Sequence, residues 1–404
     1  MPIPGVTARP LARTYDAVVI GAGIQGLATA YELAKRGVRR VAVLDSSWPG
    51  GGASGRNGEL IRSAFSSAEW ITLFDASLKR WHQLSRELDF NVLFNPSGYL
   101  VLASTEEQYA RCRADVEVQA RFGLRTELLD QQAVLDRVPA LNPDAVVGAV
   151  LQPAAGFAHH DAAVWGYARA AARLGVEVHA GMEVLGVTVR GGRVAGVTTR
   201  THDVSAPVVV NAAGAAAGRL AGTAGVELPL DMARLEMLVT ESVAPFLRPA
   251  VAALAALGYC HQTSRGEFVG GTELAVPDHT PSLNGTYRLL RDMAQKFVWL
   301  FPQLSAARVL RHWAGLITQT ADLSPIVGTA PGVDGFYLSC GWVYGFVGAP
   351  AAAAHLADTV CDGRLHPTIA PFDALRFAEG RPIREGSLVV PAQSEGPGPR
   401  EVAS

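Results

Sequence analysis

The sequence predicts an α/β fold, a Rossmann-like parallel sheet of βαβ units joined to a second α+β domain whose sheet is mostly antiparallel. Three observations predict it. Residues 14–45 read as apolar strand, glycine turn, helix and second apolar strand, and such a unit implies a parallel sheet covered by helices. A helix–strand pair recurs at 161–180, and a buried-strand run at Val208 to Asn211 follows Pro207. Residues 226–310 differ in character, with strand runs at Glu236 to Thr240 and Phe268 to Gly270 and one long helix near 283–299.

In order along the chain, Tyr15 to Ile20 is an apolar run fit for a buried strand. Leu27, Ala30, Tyr31 and Ala34 then fall at helical spacing, Gly37 stops that helix, and Val41 to Leu44 forms the next strand. Residues 69–89 place Trp70, Leu73, Phe74, Leu78 and Trp81 on one helical face. Gly98 to Ala103 reads as a strand and Glu106 to Arg121 as a helix. Ala162 to Leu174 (helix) and Val176 to His179, Val184 to Val189 and Val194 to Thr199 (strands) follow. Phe336 to Ser339 is a strand, followed by a glycine turn and an alanine-rich helix from about Pro350 to Val360, with the proline placed in its first turn. The Pro-, Gly-, Ser- and Glu-rich end reads as a loose tail.

Composition narrows the function. With 49% apolar and 18% charged residues, the 404-residue chain has material for a large core. A net charge of −2 offers no argument for nucleic acid or an acidic membrane surface. Cys112, Cys260, Cys340 and Cys361 make no C-x-x-C pair, so neither zinc nor a disulfide framework is indicated and no metal is expected. The first 13 residues lack the apolar core of a signal peptide, and no uninterrupted apolar run reaches the ~18 residues of a membrane span. A cytoplasmic, membrane-free protein is expected.

Gly21-Ala22-Gly23-Ile24-Gln25-Gly26 carries the strongest signal. Gly21 permits the tight turn, Gly23 lets backbone approach a pyrophosphate, and Gly26 allows close helix–strand packing. The following helix start offers free N–H groups and partial positive charge to phosphate. Asp45, ending the second strand, stands where an acid grips ribose hydroxyls. The motif alone does not separate NAD from FAD, and an NAD-dependent dehydrogenase is the competing reading. Pro49 to Gly58, PGGGASGRNG, favours FAD, because a second glycine-rich stretch suits a chain wrapping a longer cofactor. Arg56 there suits a phosphate or a reduced flavin.

Together, Gly21 to Gly26, Asp45, Ser54-Gly55-Arg56-Asn57 and Leu60-Ile61-Arg62-Ser63 resemble the D-amino-acid-oxidase-type FAD superfamily. Within it the chain is similar to the β subunits of heterotetrameric sarcosine oxidases, from about residue 14 to 385. Gly156-Phe157-Ala158-His159-His160-Asp161, His312-Trp313-Ala314-Gly315, Cys340-Gly341-Trp342 and Gly345-Phe346-Val347-Gly348-Ala349-Pro350 carry the likeness further. The resemblance implies flavin-dependent oxidation of the C–N bond of a small, sarcosine-like amino acid, with proline-like amino acids and opines as alternatives. It implies FAD as the site of oxidation, an α-like partner subunit, and a second flavin, FMN, covalently held by the histidine that matches His160. Read from the residues alone, His160 is a packing or capping residue at a helix start.

The implied cofactor-binding residues are Gly21, Gly23, Gly26, Asp45, Ser54, Arg56, Asn57, Gly214, His160, Gly345, Val347 and Gly348. Arg62 is the candidate for the substrate carboxylate, since guanidinium grips carboxylate bidentately. A salt-bridged structural arginine is the alternative. Tyr259 is a candidate pocket residue and equally a core tyrosine. The family carries lysine where this sequence has Val347. That departure leaves the carboxylate to Arg62 alone or points to a substrate other than sarcosine, and it favours a dehydrogenase over an oxidase. A flavoprotein that only relays electrons is the third reading. The expected segments are 14–95, 155–225 and 320–385 for FAD, 96–154 and 226–319 for substrate, and 386–404 as tail.

Overall fold

A computed structural model describes residues 5–256, 258–272 and 279–386. The expected tail, apart from Gly386, lies outside them. The chain opens with β1 (Ala17–Ile20), α1 (Ile24–Lys35), β2 (Val41–Leu44), β3 (Leu60–Ile61) and α2 (Ala68–Glu87). It continues through β4 (Tyr99–Ala103), α3 (Glu106–Arg121), β5 (Glu127–Asp130), α4 (Gln131–Arg137) and β6 (Gly148–Gln152). Next come β7 (Gly156–Phe157), α5 (His160–Arg173), β8 (Glu177–His179), β9 (Val184–Arg190), β10 (Arg193–Thr199), β11 (Asp203–Ser205), β12 (Val209–Asn211) and α6 (Ala217–Thr223). Then follow β13 (Asp231–Ser242), β14 (Ala250–Ala253), β15 (Gly258–Gln262), β16 (Glu267–Thr272), α7 (Tyr287–Leu300) and β17 (Val309–Gln319). β18 (Ile326–Thr329), β19 (Phe336–Cys340) and α8 (Gly345–Asp362) close the order.

Six strands form one sheet in the order β18-β19-β12-β1-β2-β8, parallel except at β18. Its strands are buried on both faces, which is why they read as continuous apolar runs. Ala17, Val19, Val41 and Val43 point into a core with α1, α2, α5 and α8. Val18, Ile20, Ala42 and Leu44 point into another, filled from β9, β10, β11 and α6.

The second sheet runs β17-β13-β16-β15-β14-β4-β6-β5 and is antiparallel except at β14–β4. Leu289, Met293 and Phe297 of α7 cover one face, meeting Leu238, Cys260 and Phe268. The period-2 alternation of strands sends Met237, Tyr259 and His261 to the opposite face. The α/β fold with an added, mostly antiparallel sheet is therefore the architecture found.

One expectation is corrected. The last helix begins at Gly345, so Pro350 lies inside it and not in its first turn. A proline there removes the amide that would bond the Phe346 carbonyl. Contacts from elsewhere hold the earlier start. Gln25 Nε2 donates to the Gly345 carbonyl at 2.7 Å, and Ser77 Oγ and Trp81 Nε1 donate to the Val347 carbonyl at 2.5 and 2.9 Å.

Candidate active site

The glycine turn forms where β1 meets α1. Gly21 has φ +105°, a conformation open to glycine, and a Cβ on it would run into the Ala212 carbonyl at the end of β12. The Ala212–Gly214 turn thus abuts the fingerprint turn, with Gly214 exposed at φ +55°. Gly23 is the N-cap of α1, and a Cβ there would stand 3.0 Å from Ser54 Oγ. That same oxygen accepts the Ile24 N–H at 3.0 Å. The remaining first-turn amides of α1 have no acceptor within the helix, so the turn is built to receive an anion. Asp45 receives the Ala22 N–H at 2.7 Å on one oxygen and the Ser47 N–H at 2.7 Å on the other, which fixes the carboxylate beside the turn.

Gln25 ties this turn to the start of α8. Its Oε1 accepts from Ser339 Oγ at 3.1 Å, and Trp342 Nε1 donates to that hydroxyl at 3.1 Å. Two helix N-termini, of α1 and α8, are thereby pinned together, and their aligned peptide dipoles favour negative charge. Gly345 and Gly348 sit against the Trp342 ring, where an added Cβ would lie 2.8 Å from ring or side-chain carbon. Val347 is buried in the core packed around α8.

The glycine-rich stretch runs under the second sheet. Register aligns Trp313, Met237, Gly271 and Tyr259 in one row and Arg311, Val239, Val269 and His261 in the next. Trp313 Nε1 donates to the Arg56 carbonyl at 3.3 Å. A Cβ on Gly58 would come within 3.0 Å of Tyr259 Cδ2, and the Tyr259 hydroxyl meets Met237 Sδ at 3.2 Å. Arg56 donates to the carbonyls of Gly51 and Gly52, and burial and then Arg311 lower its pKa. Asn57 bonds the Ser54 carbonyl at 2.5 Å and the Glu59 N–H at 2.7 Å, shaping the turn that follows.

Arg62 is wholly buried. Its guanidinium carbon lies 4.2 Å from the Phe65 ring centre and 5.5 Å from those of Tyr99 and Tyr344, and Nη1 donates to the Ala64 carbonyl. A desolvated guanidinium among aromatic faces gains cation–π stabilisation.

Glu59 is the residue that sequence reasoning missed. It adopts φ +65°, a left-handed conformation that costs a non-glycine residue on the order of 1–3 kcal/mol. Its Oε1 accepts the His160 N–H at 3.0 Å, capping α5, and stands 2.6 Å from His160 Nδ1. Its Oε2 stands 3.2 Å from Nε2 of the fully buried His261. Both are short contacts between a ring nitrogen and a carboxylate oxygen, outside aligned hydrogen-bond geometry. Burial opposes the Glu59 charge, yet the two histidines hold its pKa well below the usual carboxylate range. Burial also opposes a charged His160, and Glu59 more than reverses that, raising its pKa. His261 was findable by parity, two residues beyond Tyr259 on the same strand face. Glu59 and Gln25 carried no such signal.

An anion-receiving glycine turn at paired helix starts, with an acid at the end of the second strand, defines a dinucleotide-binding α/β protein whose extra sheet covers the second glycine-rich loop. Comparison with known proteins specifies it. Residues 16–359 match the FAD dependent oxidoreductase family, DAO, and the chain belongs to that family. It is 35% identical to sarcosine oxidase subunit beta of Rhodobacter capsulatus, over 92% of this chain and 91% of that protein. It is 36% identical to the subunit of that name from Arthrobacter sp, over 92% and 93%. The solved L-proline dehydrogenase of P. horikoshii shares 29% identity and superposes with a TM-score of 0.87 over 92% of this chain and 99% of that one. The protein is thus an FAD-dependent oxidoreductase that oxidises an amino-acid C–N bond. The NAD-dependent reading is set aside. No described helix is long and apolar enough to cross a membrane.

Proposed function

We propose that this chain oxidises a small secondary amino acid of the sarcosine kind, works with an α-like partner subunit, and carries FMN on His160 besides FAD. The single observation that carries the substrate reading is Arg62, a fully buried guanidinium lined by Phe65, Tyr99 and Tyr344, just beyond the cofactor loop. Such a cation pairs strongly with a substrate carboxylate because little water screens it. FAD, when bound, takes the two electrons of the oxidation. The chain's own residues then bind and orient. The α1 turn with Ser54 and Asp45 would hold the pyrophosphate and ribose, and the α8 N-terminus with Gly345 and Gly348 would face the charge that builds on the ring. Tyr259 would close the substrate side. The three segments of the parallel sheet, 14–95, 155–225 and 320–385, serve as the FAD-binding domain in this reading.

FMN at His160 has support in the donor set. The ring is half-buried at the start of α5, with one nitrogen against Glu59 and Nε2 3.7 Å from Asp161. The similarity to proteins named sarcosine oxidase subunit beta supports the partner, and the resemblance carried by Gly156 to Asp161 supports the second flavin. A second reading, a proline-like substrate, has in its favour the neutral Val347 and the L-proline dehydrogenase likeness.

Anaerobic bleaching of the flavin by sarcosine, proline, glycine and an opine tests both. Sarcosine should bleach at the lowest concentration, and Arg62→Lys should raise that concentration more than tenfold with FAD retained. An unchanged requirement in Arg62→Lys removes Arg62 from the carboxylate role, and proline as the best substrate selects the second reading. Protein co-produced with the α-like partner should keep FMN through acid precipitation, and His160→Gln should lose it. Complete release from the wild type refutes the attachment.

A further inference from the structure

Glu59 occupies a conformation that other side chains avoid, and it does so in a loop otherwise rich in glycine. Observed strain is a reason to look for function. A capping role alone does not require it, because Asp, Asn, Ser or Thr within the turn would cap α5 without a left-handed glutamate. What the conformation achieves is to place both carboxylate oxygens between two histidines from distant elements, His160 on α5 and His261 on β15.

We propose that Glu59 is a positioning residue for His160: it places the imidazole proton on Nδ1 and leaves Nε2 to form the flavin bond. This rests on the FMN reading above and adds to it the group that selects the nitrogen. The carboxylate oxygen stands 2.6 Å from Nδ1, and Asp161 Oδ1 lies 3.7 Å from Nε2. A carboxylate beside one ring nitrogen favours the proton there, so the other nitrogen keeps its lone pair. The charged and titratable groups around the ring are Glu59, Asp161, the stacked His159 at 5.2 Å and, at longer range, Arg311.

The bond-forming step balances without an outside oxidant. The Nε2 lone pair becomes a bond to the carbon of a flavin methyl group. In exchange for that bond a C–H bond of the methyl would be lost, its proton and its electron pair passing to the flavin ring, which would be left reduced. The imidazole is left cationic, and the Glu59 carboxylate at Nδ1 meets that charge.

His261 is the second anchor. It is fully buried and stacked on Phe157 at 4.2 Å, and its ring contact holds the far oxygen of Glu59. The carboxylate is therefore held at both ends, and the near oxygen cannot swing away from His160 without leaving His261.

The test uses the full chain co-produced with its α-like partner. Flavin retained after acid precipitation is measured for wild type and Glu59→Gln, and nitrogen NMR reads the His160 tautomer in each protein prepared free of FMN, since a flavin bonded to Nε2 removes the choice of tautomer. The wild type should keep FMN and show Nδ1–H. Glu59→Gln should keep FAD, lose covalent FMN at least tenfold and move the His160 proton toward Nε2. Equal covalent FMN in the two proteins overturns the proposal. So does Nε2–H at His160 in the wild type, a result that needs no variant to fold. A wild type with Nδ1–H that releases all its flavin leaves the positioning geometry standing and refutes the FMN reading alone.

Discussion

Gly26→Ala isolates the glycine turn from every other part of the cofactor site. A Cβ at Gly26 would overlap the Gly21 carbonyl oxygen, lie 3.1 Å from the Gly21 carbonyl carbon and 3.3 Å from Val19 Cγ1. Normal carbon–oxygen approach is about 3.3 Å, so α1 must withdraw from β1 by more than ~1 Å. Both neighbours are buried and one is backbone, so no side chain can rotate away. Overpacking of this kind costs about 3 kcal/mol. Alanine's better helix propensity returns about 1 kcal/mol. The net destabilisation is about 2 kcal/mol, and FAD binding suffers further because the first-turn amides move with the helix. Urea unfolding of the apoprotein reads the first effect, and FAD titration by flavin fluorescence reads the second. The FAD Kd should rise at least tenfold. Gly222→Ala is the control, because Gly222 lies in α6 with open space around its Cα and an ordinary backbone. It should be neutral or stabilising by up to ~1 kcal/mol. A Gly26→Ala protein with wild-type unfolding midpoint and wild-type Kd would refute the close-packing argument.

Three other outcomes are expected. Glu236 is fully buried between Arg234 Nη2 at 3.0 Å and His312 Nε2 at 2.6 Å, and it also receives the Thr286 N–H at 2.8 Å. Glu236→Ala removes the buried carboxylate that Arg234, His312 and Thr286 share, so urea unfolding should show a loss of about 3–5 kcal/mol, and a loss below 1 kcal/mol would contradict the pairing. Burial, then the stacked His366, lowers the His355 pKa from 6.5 to about 4. The unfolded chain then takes up the proton first as pH falls, so this contribution is complete above pH 6.5 and is lost between 6.5 and about 4; His355→Gln should flatten stability across that window, and parallel curves for the two proteins would speak against it. Arg376 is fully buried and bonds both Asp322 oxygens at 2.9 Å as well as the Ser324 carbonyl at 2.8 Å. Arg376→Met should lower the melting temperature and loosen residues 370–386 toward protease, and unchanged proteolysis would show that the pair does not hold that segment.

Legibility followed the range of the forces involved. Val41–Leu44 and Glu106–Arg121 are found with the bounds their sequence predicts, because an apolar run and a capping Thr105 ahead of a helical stretch are local signals. The start of α8 is not legible. Its first turn is fixed by Gln25, 320 residues away, and that contact overrides the preference of Pro350 for a helix start. β13 extends to Asp231–Ser242, well beyond the expected Glu236 to Thr240, because pairing to β16 and β17 continues where side-chain pattern gives no cue.

The sequence by itself determined the βαβ opening, the anion-receiving turn and the membership in a flavin oxidoreductase family. Glycine spacing and strand hydrophobicity act within a few residues, so they are written where they work. Only the tertiary structure decided that Glu59 stands between His160 and His261, and that Arg62 lies among three aromatic rings. Those meetings depend on strand register and on the path of the glycine-rich loop beneath the second sheet, and burial enforces them between residues that no local pattern connects.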